Sequence, residues 1–256
     1  MAKKKKKAGI GIHAQLMRWG FIALFFIFWE LSFRLEWIDP LFLAGPIDSF
    51  KALPEVIGIS KPHVYATVGA FFIAFLSSSA VGAVLGFGIG SVNYLYKTFM
   101  PLLILGVSIP KVVLLPLFIL WFGIGKLTII TYAALSGFFP MIINTMAAIK
   151  EVKPNQVLIA KAMGYNKIQI YRKVVFPSML PVLSTGLFYA CHSSMTGIFI
   201  MEMALARYGL GAMVYSLAVT FRTGELYAGV LLTASITIVI NVALWSLARY
   251  FGKWRD

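Results

Sequence analysis

Long apolar blocks dominate this sequence, and the short polar stretches between them carry most of its positive charge. An apolar block of about 20 residues can cross the hydrocarbon core of a bilayer as a helix. Inside that core every backbone N–H and C=O must find its partner within the protein, which leaves helices or closed barrels as the only solutions. A chain written this way is expected to fold as an all-α bundle of membrane helices. Composition agrees. The chain is 60% hydrophobic and 12% charged, with a mean hydropathy of +0.85, outside the range of a soluble globular domain.

Six blocks are expected to span: 18–36, about Val64 to Val92, Phe99 to Phe122, Leu127 to Ile149, Met179 to Leu205, and Leu226 to Phe251. Around them lie a basic N-terminus (1–17), a proline-containing external loop (37–62), a core of helices (63–251) enclosing a polar loop at 150–177, and a tail (252–256). In the external loop, Pro46-Ile47-Asp48 is expected to start a short helix that ends near Ile57. The opening MAKKKKK and the apolar run Phe21 to Phe33 have the outline of a signal peptide. Arg34-Leu35-Glu36-Trp37 follows in place of a small-residue cleavage site, so the run is read as an uncleaved span. Glu30 within it would cost about 2–3 kcal/mol at mid-bilayer. Arg34, one helical turn on, supplies an interfacial partner.

Six spans put both termini on one side. Sixteen of the 23 Lys and Arg fall with the termini, the Lys97 turn and the 150–177 loop; six fall on the other side, and Lys111 lies within the membrane. The positive-inside rule then places the termini and that loop in the cytoplasm of a multi-pass cell-membrane protein. It also accounts for the net charge of +14 without a nucleic acid, because the positives alternate with spans and form no continuous groove.

Two spans carry packing signals. In the second, Ser78, Gly82, Gly86 and Gly90 recur every four residues, a ridge of small side chains that lets another helix approach closely. The third is interrupted by Ile109-Pro110-Lys111 and by Pro116, which is tolerated where neighbours or a water-filled cavity satisfy the freed backbone.

The 150–177 loop is organised by its punctuation. Pro154 fits the first turn of a helix, Gly164 the left-handed stop after it, and Asn166 the cap of a second helix through Gln169 to Val175. Pro177 is expected to mark the turn into the next block. The first helix, Val157, Leu158, Ile159, Ala160, Lys161, Ala162 and Met163, is apolar almost all round. Such a helix outside the membrane needs a covering surface. The expected cover is a second protein.

Ala160, Gly164 and Val174-Val175-Phe176-Pro177 resemble the cytoplasmic loop of ATP-binding-cassette importer permeases, whose pattern runs E-A-A-x3-G-x9-I-x-L-P. Leu158 stands at the Glu position, Ile159 at the first Ala, and Phe176 at the Leu. The resemblance extends to Ile109-Pro110-Lys111, the run Pro116 to Gly125, Phe138-Phe139-Pro140, Asn144-Thr145, and Glu202 with Gly209-Leu210-Gly211, as in nitrate/sulfonate/taurine-type importer permeases. It implies the transmembrane domain of a type I importer. It also implies a homodimer of permeases in the lipid bilayer, two cytoplasmic ATPases holding ATP and Mg, and an external or periplasmic solute-binding protein. In that family the loop helix, here Val157 to Met163 with Gly164 and Pro177, docks in a groove on the ATPase. Known cargoes include small anions such as nitrate, sulfonates, taurine and bicarbonate, and also vitamin precursors.

No catalytic machinery is visible in the residues. Gly123-Ile124-Gly125-Lys126 is followed by Leu127, where a phosphate loop needs Ser or Thr. Gly209-Leu210-Gly211 lacks the third glycine of a dinucleotide fingerprint. His13, His63 and His192 are scattered, so no metal site is expected, and the single Cys191 rules out a disulfide framework. His192-Ser193-Ser194 lacks the elbow of a hydrolase and is read as a packed polar patch. The chain is therefore expected to bind no cofactor, to be no enzyme, and to draw its energy from a partner. The alternative, a gradient-driven carrier or channel, needs intramembrane carboxylates, and only Glu30 and Glu202 qualify. Two residues are candidates for the solute pathway. Lys111, beside Pro110, either draws an anion, or snorkels to a headgroup or caps helix carbonyls, with the latter pair of readings favoured. Glu202 pairs with Arg207 or Arg222, either in an external gate or as a simple interfacial charge pair.

Overall fold

The computed structural model describes residues 2–252, with side chains over 13–246. The side chains of the N-terminal lysine run, and the tail from Lys253 onward, lie outside the described residues. All regular structure among the described residues is helical: α1 (Ala2–Arg34), α2 (Pro46–Ser91), α3 (Asn93–Ser108), α4 (Leu115–Phe122), α5 (Lys126–Lys150), α6 (Pro154–Ala162), α7 (Lys167–Ile170), α8 (Phe176–Leu205), α9 (Leu210–Val219) and α10 (Thr223–Gly252). Five helical stretches are long and apolar enough to cross a membrane. A sixth is reached when α3 is counted with the short 3-10 turn Lys111–Leu114 and α4, which bend by 85° at Ile109-Pro110.

The chain forms two compact units, one of residues 1–59 with 214–232, the other of 60–213 with 233–256. In the first, Glu30 accepts from Arg34 at 2.7 Å and from the Ile47 amide at 3.3 Å, so the intramembrane carboxylate has the expected partner. Trp29 donates to the Ala44 carbonyl at 2.9 Å, and Thr223 to the Leu41 carbonyl at 2.7 Å. Arg222 bridges Glu55 at 2.8 Å and Glu225. Its hydrogen bond to Glu225 raises the guanidinium pKa further above its ordinary value.

The second unit is built on α5. Adding a Cβ at Gly82 would meet Met141 Cβ at 2.8 Å, at Gly86 the Ile142 carbonyl at 2.7 Å, and at Gly90 Ile149 Cδ1 at 2.8 Å. The Ser78 hydroxyl lies 2.8 Å from where a Cβ on Gly137 would sit. The four-residue ridge of α2 thus rides along a four-residue row of α5. On another side α8 runs antiparallel to α5, with Gly186 against Asn144 and Gly197 against Ser136. Phe71, Tyr132, Met195, Ile198 and Met201 fill the core. Close backbones bring van der Waals contact where the lipid gives no hydrophobic reward for association.

Three local expectations fail. The short helix of 48–57 and the span from Val64 are one helix, with Pro54 and Pro62 inside it. Each proline forfeits one helical hydrogen bond, and the remaining ladder carries the helix through. Asn93 to Lys97 is the first turn of α3 and no separate turn; only an extended Val92 separates α2 from α3. Pro177 does not end a helix either, since Lys167–Leu205 is continuous. A π-turn at Tyr171–Val175 precedes it, and its wider pitch accommodates the missing N–H.

Candidate functional site

In the loop between α5 and α8, a proline opens α6 and a backbone stop closes it. Lys153 is extended and Pro154 opens the helix. At the other end Gly164 adopts a left-handed φ of 77°. Its N–H donates to the Lys161 carbonyl at 3.0 Å and the Tyr165 N–H to the Ala160 carbonyl at 3.1 Å, the paired bonds of a Schellman stop. Asn166 then starts α7 with a reciprocal box: its Oδ1 accepts from the Gln169 N–H at 2.8 Å, and Gln169 Oε1 accepts from the Asn166 N–H at 2.9 Å. Lys173 sits 4.8 Å above the Tyr165 ring.

The loop's geometry sorts the candidate coupling residues. Leu158, Ile159 and Met163 are 60–65% exposed, and Ile168 on α7 joins them at 77%. Ala162 is exposed and Val157 half-buried. Ala160 is the exception: only 3% exposed, it faces inward. Alanine there is a packing requirement, and the surface offered outward is the Leu158–Ile159–Met163 knob. Ile168 was missed from sequence, although its offset from the Asn166 cap was readable.

Lys111 donates from Nζ to the Ser136 carbonyl at 3.2 Å. The reason lies four residues beyond Ser136. Pro140 stands inside α5, has no N–H, and leaves the Ser136 carbonyl without its i+4 donor. A half-buried ammonium fills the vacancy. The contact weighed for Lys111 with helix carbonyls is thus present. The sequence signal was the proline, which frees one identifiable oxygen.

Glu202 is 2% exposed and forms no ion pair with Arg207. Its carboxylate accepts from Thr67 Oγ1 at 2.7 and 2.9 Å and from the Gly211 N–H at 2.9 Å. Thr67 Oγ1 accepts in turn from the Leu210 N–H at 2.8 Å. His63 Nδ1 lies 2.9 Å from the Gly209 carbonyl and 3.1 Å from its nitrogen. A side chain at Gly209, whose φ is 138°, would overlap the Glu202 carboxylate, and one at Gly211 would meet the Phe199 carbonyl at 2.7 Å. The glutamate and the Gly-Leu-Gly turn therefore form one knot tying α2 to the α8–α9 corner. A buried carboxylate is tolerable because its lone pairs are answered by donors. Thr67 and His63 carried no signal at a distance of more than a hundred residues.

His192 is exposed while Ser194 is buried against Gly137. Successive helix positions point apart, and no Ser–His pair forms. Among the described residues no group of three or more His, Cys, Asp or Glu is placed to hold a metal ion.

Residues 52–256 match the family model described as binding-protein-dependent transport system inner membrane component. The chain is 29% identical to the riboflavin transport system permease protein RibX of Chloroflexus aurantiacus, over 91% of this chain and 88% of that one. It is 25% identical to the taurine transport system permease protein TauC of Escherichia coli, over 95% of each. An inward-facing structure of the MetNI methionine ABC transporter superposes with a TM-score of 0.66 at 18% identity, covering 76% of this chain and 97% of that one. At such identity the likeness speaks for the fold alone.

Proposed function

Because the chain belongs to the family of binding-protein-dependent transport system inner membrane components, we propose that its α6 loop is the docking piece for a cytoplasmic ATPase. In this reading the chain is the solute-conducting subunit of an ATP-driven importer, paired with a second copy. ATP and Mg are held by two ATPase subunits, solute is delivered by an external binding protein, and both termini lie in the cytoplasm. The observation that carries it is the exposed knob of Leu158, Ile159 and Met163 on a helix opened by Pro154 and closed by a Schellman stop. An oily surface that cannot fold away is worth its solvent cost only when covered, and a helix set into a groove covers it. The closure of the ATPases is transmitted because the caps make α6 move as one body with α5 and α8.

The solute is proposed to be a small anion of the sulfonate, taurine, nitrate or bicarbonate kind. The similarity to a taurine permease over nearly the whole chain supports this. The similarity to a riboflavin permease makes a vitamin the competing cargo.

The test is Leu158→Glu with Ile159→Glu in the complex with its ATPase. The ATPase should no longer co-purify and ATP-driven uptake should fall at least tenfold, while the thermal midpoint of the permease is unchanged. Undiminished uptake, or ion-gradient-driven flux in vesicles lacking any ATPase, overturns the proposal.

A further inference from the structure

The turn Gly123-Ile124-Gly125-Lys126, which makes no nucleotide loop, borders a cavity of about 420 Å³ at the end of α5 remote from the α6 loop. Its floor and walls are small or apolar: Ala66 and Ala70 of α2, Ile129 of α5, Leu205 and Ala206 at the end of α8. Lys126 comes from one rim and Arg207 with Tyr208 from another. Glu202 also borders it. Resting on the transport reading above, we infer that this cavity is a binding site for an organic anion with a short apolar body, an alkanesulfonate being the type.

Charge accounting carries the inference. Lys126 and Arg207 make no ion pair among the described residues, and both are exposed. The one carboxylate at the cavity is already committed to Thr67 and Gly211 and is 2% exposed. An incoming ligand therefore meets two free cations and no free anion. The start of α5 adds to this field: no side chain caps it and no acidic residue lies in its first turn, so its positive dipole end is unneutralised. Arg is suited to grip a sulfonate or carboxylate by two parallel N–H bonds, with Lys as a point charge beside it. The volume lies within the range of small-molecule sites, and such sites combine apolar walls with a few convergent polar groups. A bare inorganic anion would leave the alanine and isoleucine walls unfilled.

The experiment is thiol labelling of the purified transporter complex carrying Ala66→Cys. The native Cys191 is buried, so the unsubstituted chain supplies the background. The probes are sulfonatoethyl methanethiosulfonate and its trimethylammonioethyl counterpart, followed by intact mass. The anionic reagent should react at least tenfold faster than the cationic one. Lys126→Gln with Arg207→Gln should abolish that preference, and 1-butanesulfonate should slow labelling where butylammonium does not. Equal rates, a cation preference, or a preference that survives the double substitution overturns the inference. If Ala66→Cys does not fold, Ile124→Cys, on the 75% exposed rim, gives the same readout. Labelling does not depend on ATP coupling, so this result stands apart from the α6 test. In uptake assays the double substitution should raise KM for the sulfonate at least tenfold with little change in the maximal rate, and an unchanged KM counts against the site.

Discussion

The two ends of the 60–213 unit solve opposite problems. At the α6 loop the side chains are oily and exposed, and the backbone holds them there: a proline start, a Schellman stop, a capping box. At the Glu202 knot the side chain is polar and buried, and side chains hold the backbone: Thr67 and Glu202 tie down the amides of Leu210 and Gly211. The first end is locally encoded and leaves a surface unpartnered. The second is encoded by residues far apart and leaves almost nothing unpartnered. A surface free of internal commitments can serve a partner, whereas a saturated junction fixes the frame against which that partner works.

The comparison breaks first, and hardest, at the knot. Gly209→Val places a branched side chain where the Glu202 carboxylate lies and forces a φ of 138° on a residue that rejects it. A cost of about 4 kcal/mol or more is expected, read as loss of monodisperse protein in detergent. Glu202→Gln keeps an acceptor and should cost only about 1 kcal/mol. A well-folded Gly209→Val protein would mean that the corner is not held as described.

At the loop, neighbouring positions should behave oppositely. Ala160→Glu buries an unpaired charge in a site 3% exposed and should cost about 3 kcal/mol. Ile159→Glu, one residue away and 60% exposed, should shift stability by less than about 0.5 kcal/mol yet weaken ATPase association. Thermal midpoints and co-purification measured side by side separate the two. Equal destabilisation would show that α6 has no distinct outward face. Gly164→Ala comes next, at about 1–2 kcal/mol, because alanine resists the left-handed conformation that ends the helix.

The same contrast explains what could be read without coordinates. The spans, the bend at Ile109-Pro110, the glycine ridge and both caps of the loop follow from signals within a turn or two of one another: periodicity, proline and glycine punctuation, an Asx cap. The continuity of α2 through Pro54 and Pro62, and of the fifth span through Pro177, did not follow. Proline's local penalty is legible, but the tertiary packing that outweighs it is not. Ala160 reads like its exposed neighbours, because a helix apolar all round gives no phase. Proximity in sequence points Glu202 to arginine partners. Its actual donors include Thr67, and only the fold brings that residue near.

The smallest effect decides a question about Lys111. If its ammonium serves mainly to satisfy the Ser136 carbonyl left open by Pro140, Lys111→Met should cost about 1 kcal/mol, the low end for a buried acceptor left without its donor. Pro140→Ala would then restore the missing N–H, and the double substitution should recover most of the lost stability. The interaction energy of that cycle should be about 1 kcal/mol in the favourable direction. Uptake gives the second axis. A lysine that only caps a carbonyl predicts recovery of transport along with stability in the double variant. A lysine that also attracts the solute predicts recovered stability with a KM still raised. Independent, additive costs at the two positions would show instead that Pro140 is not the reason Lys111 sits where it does.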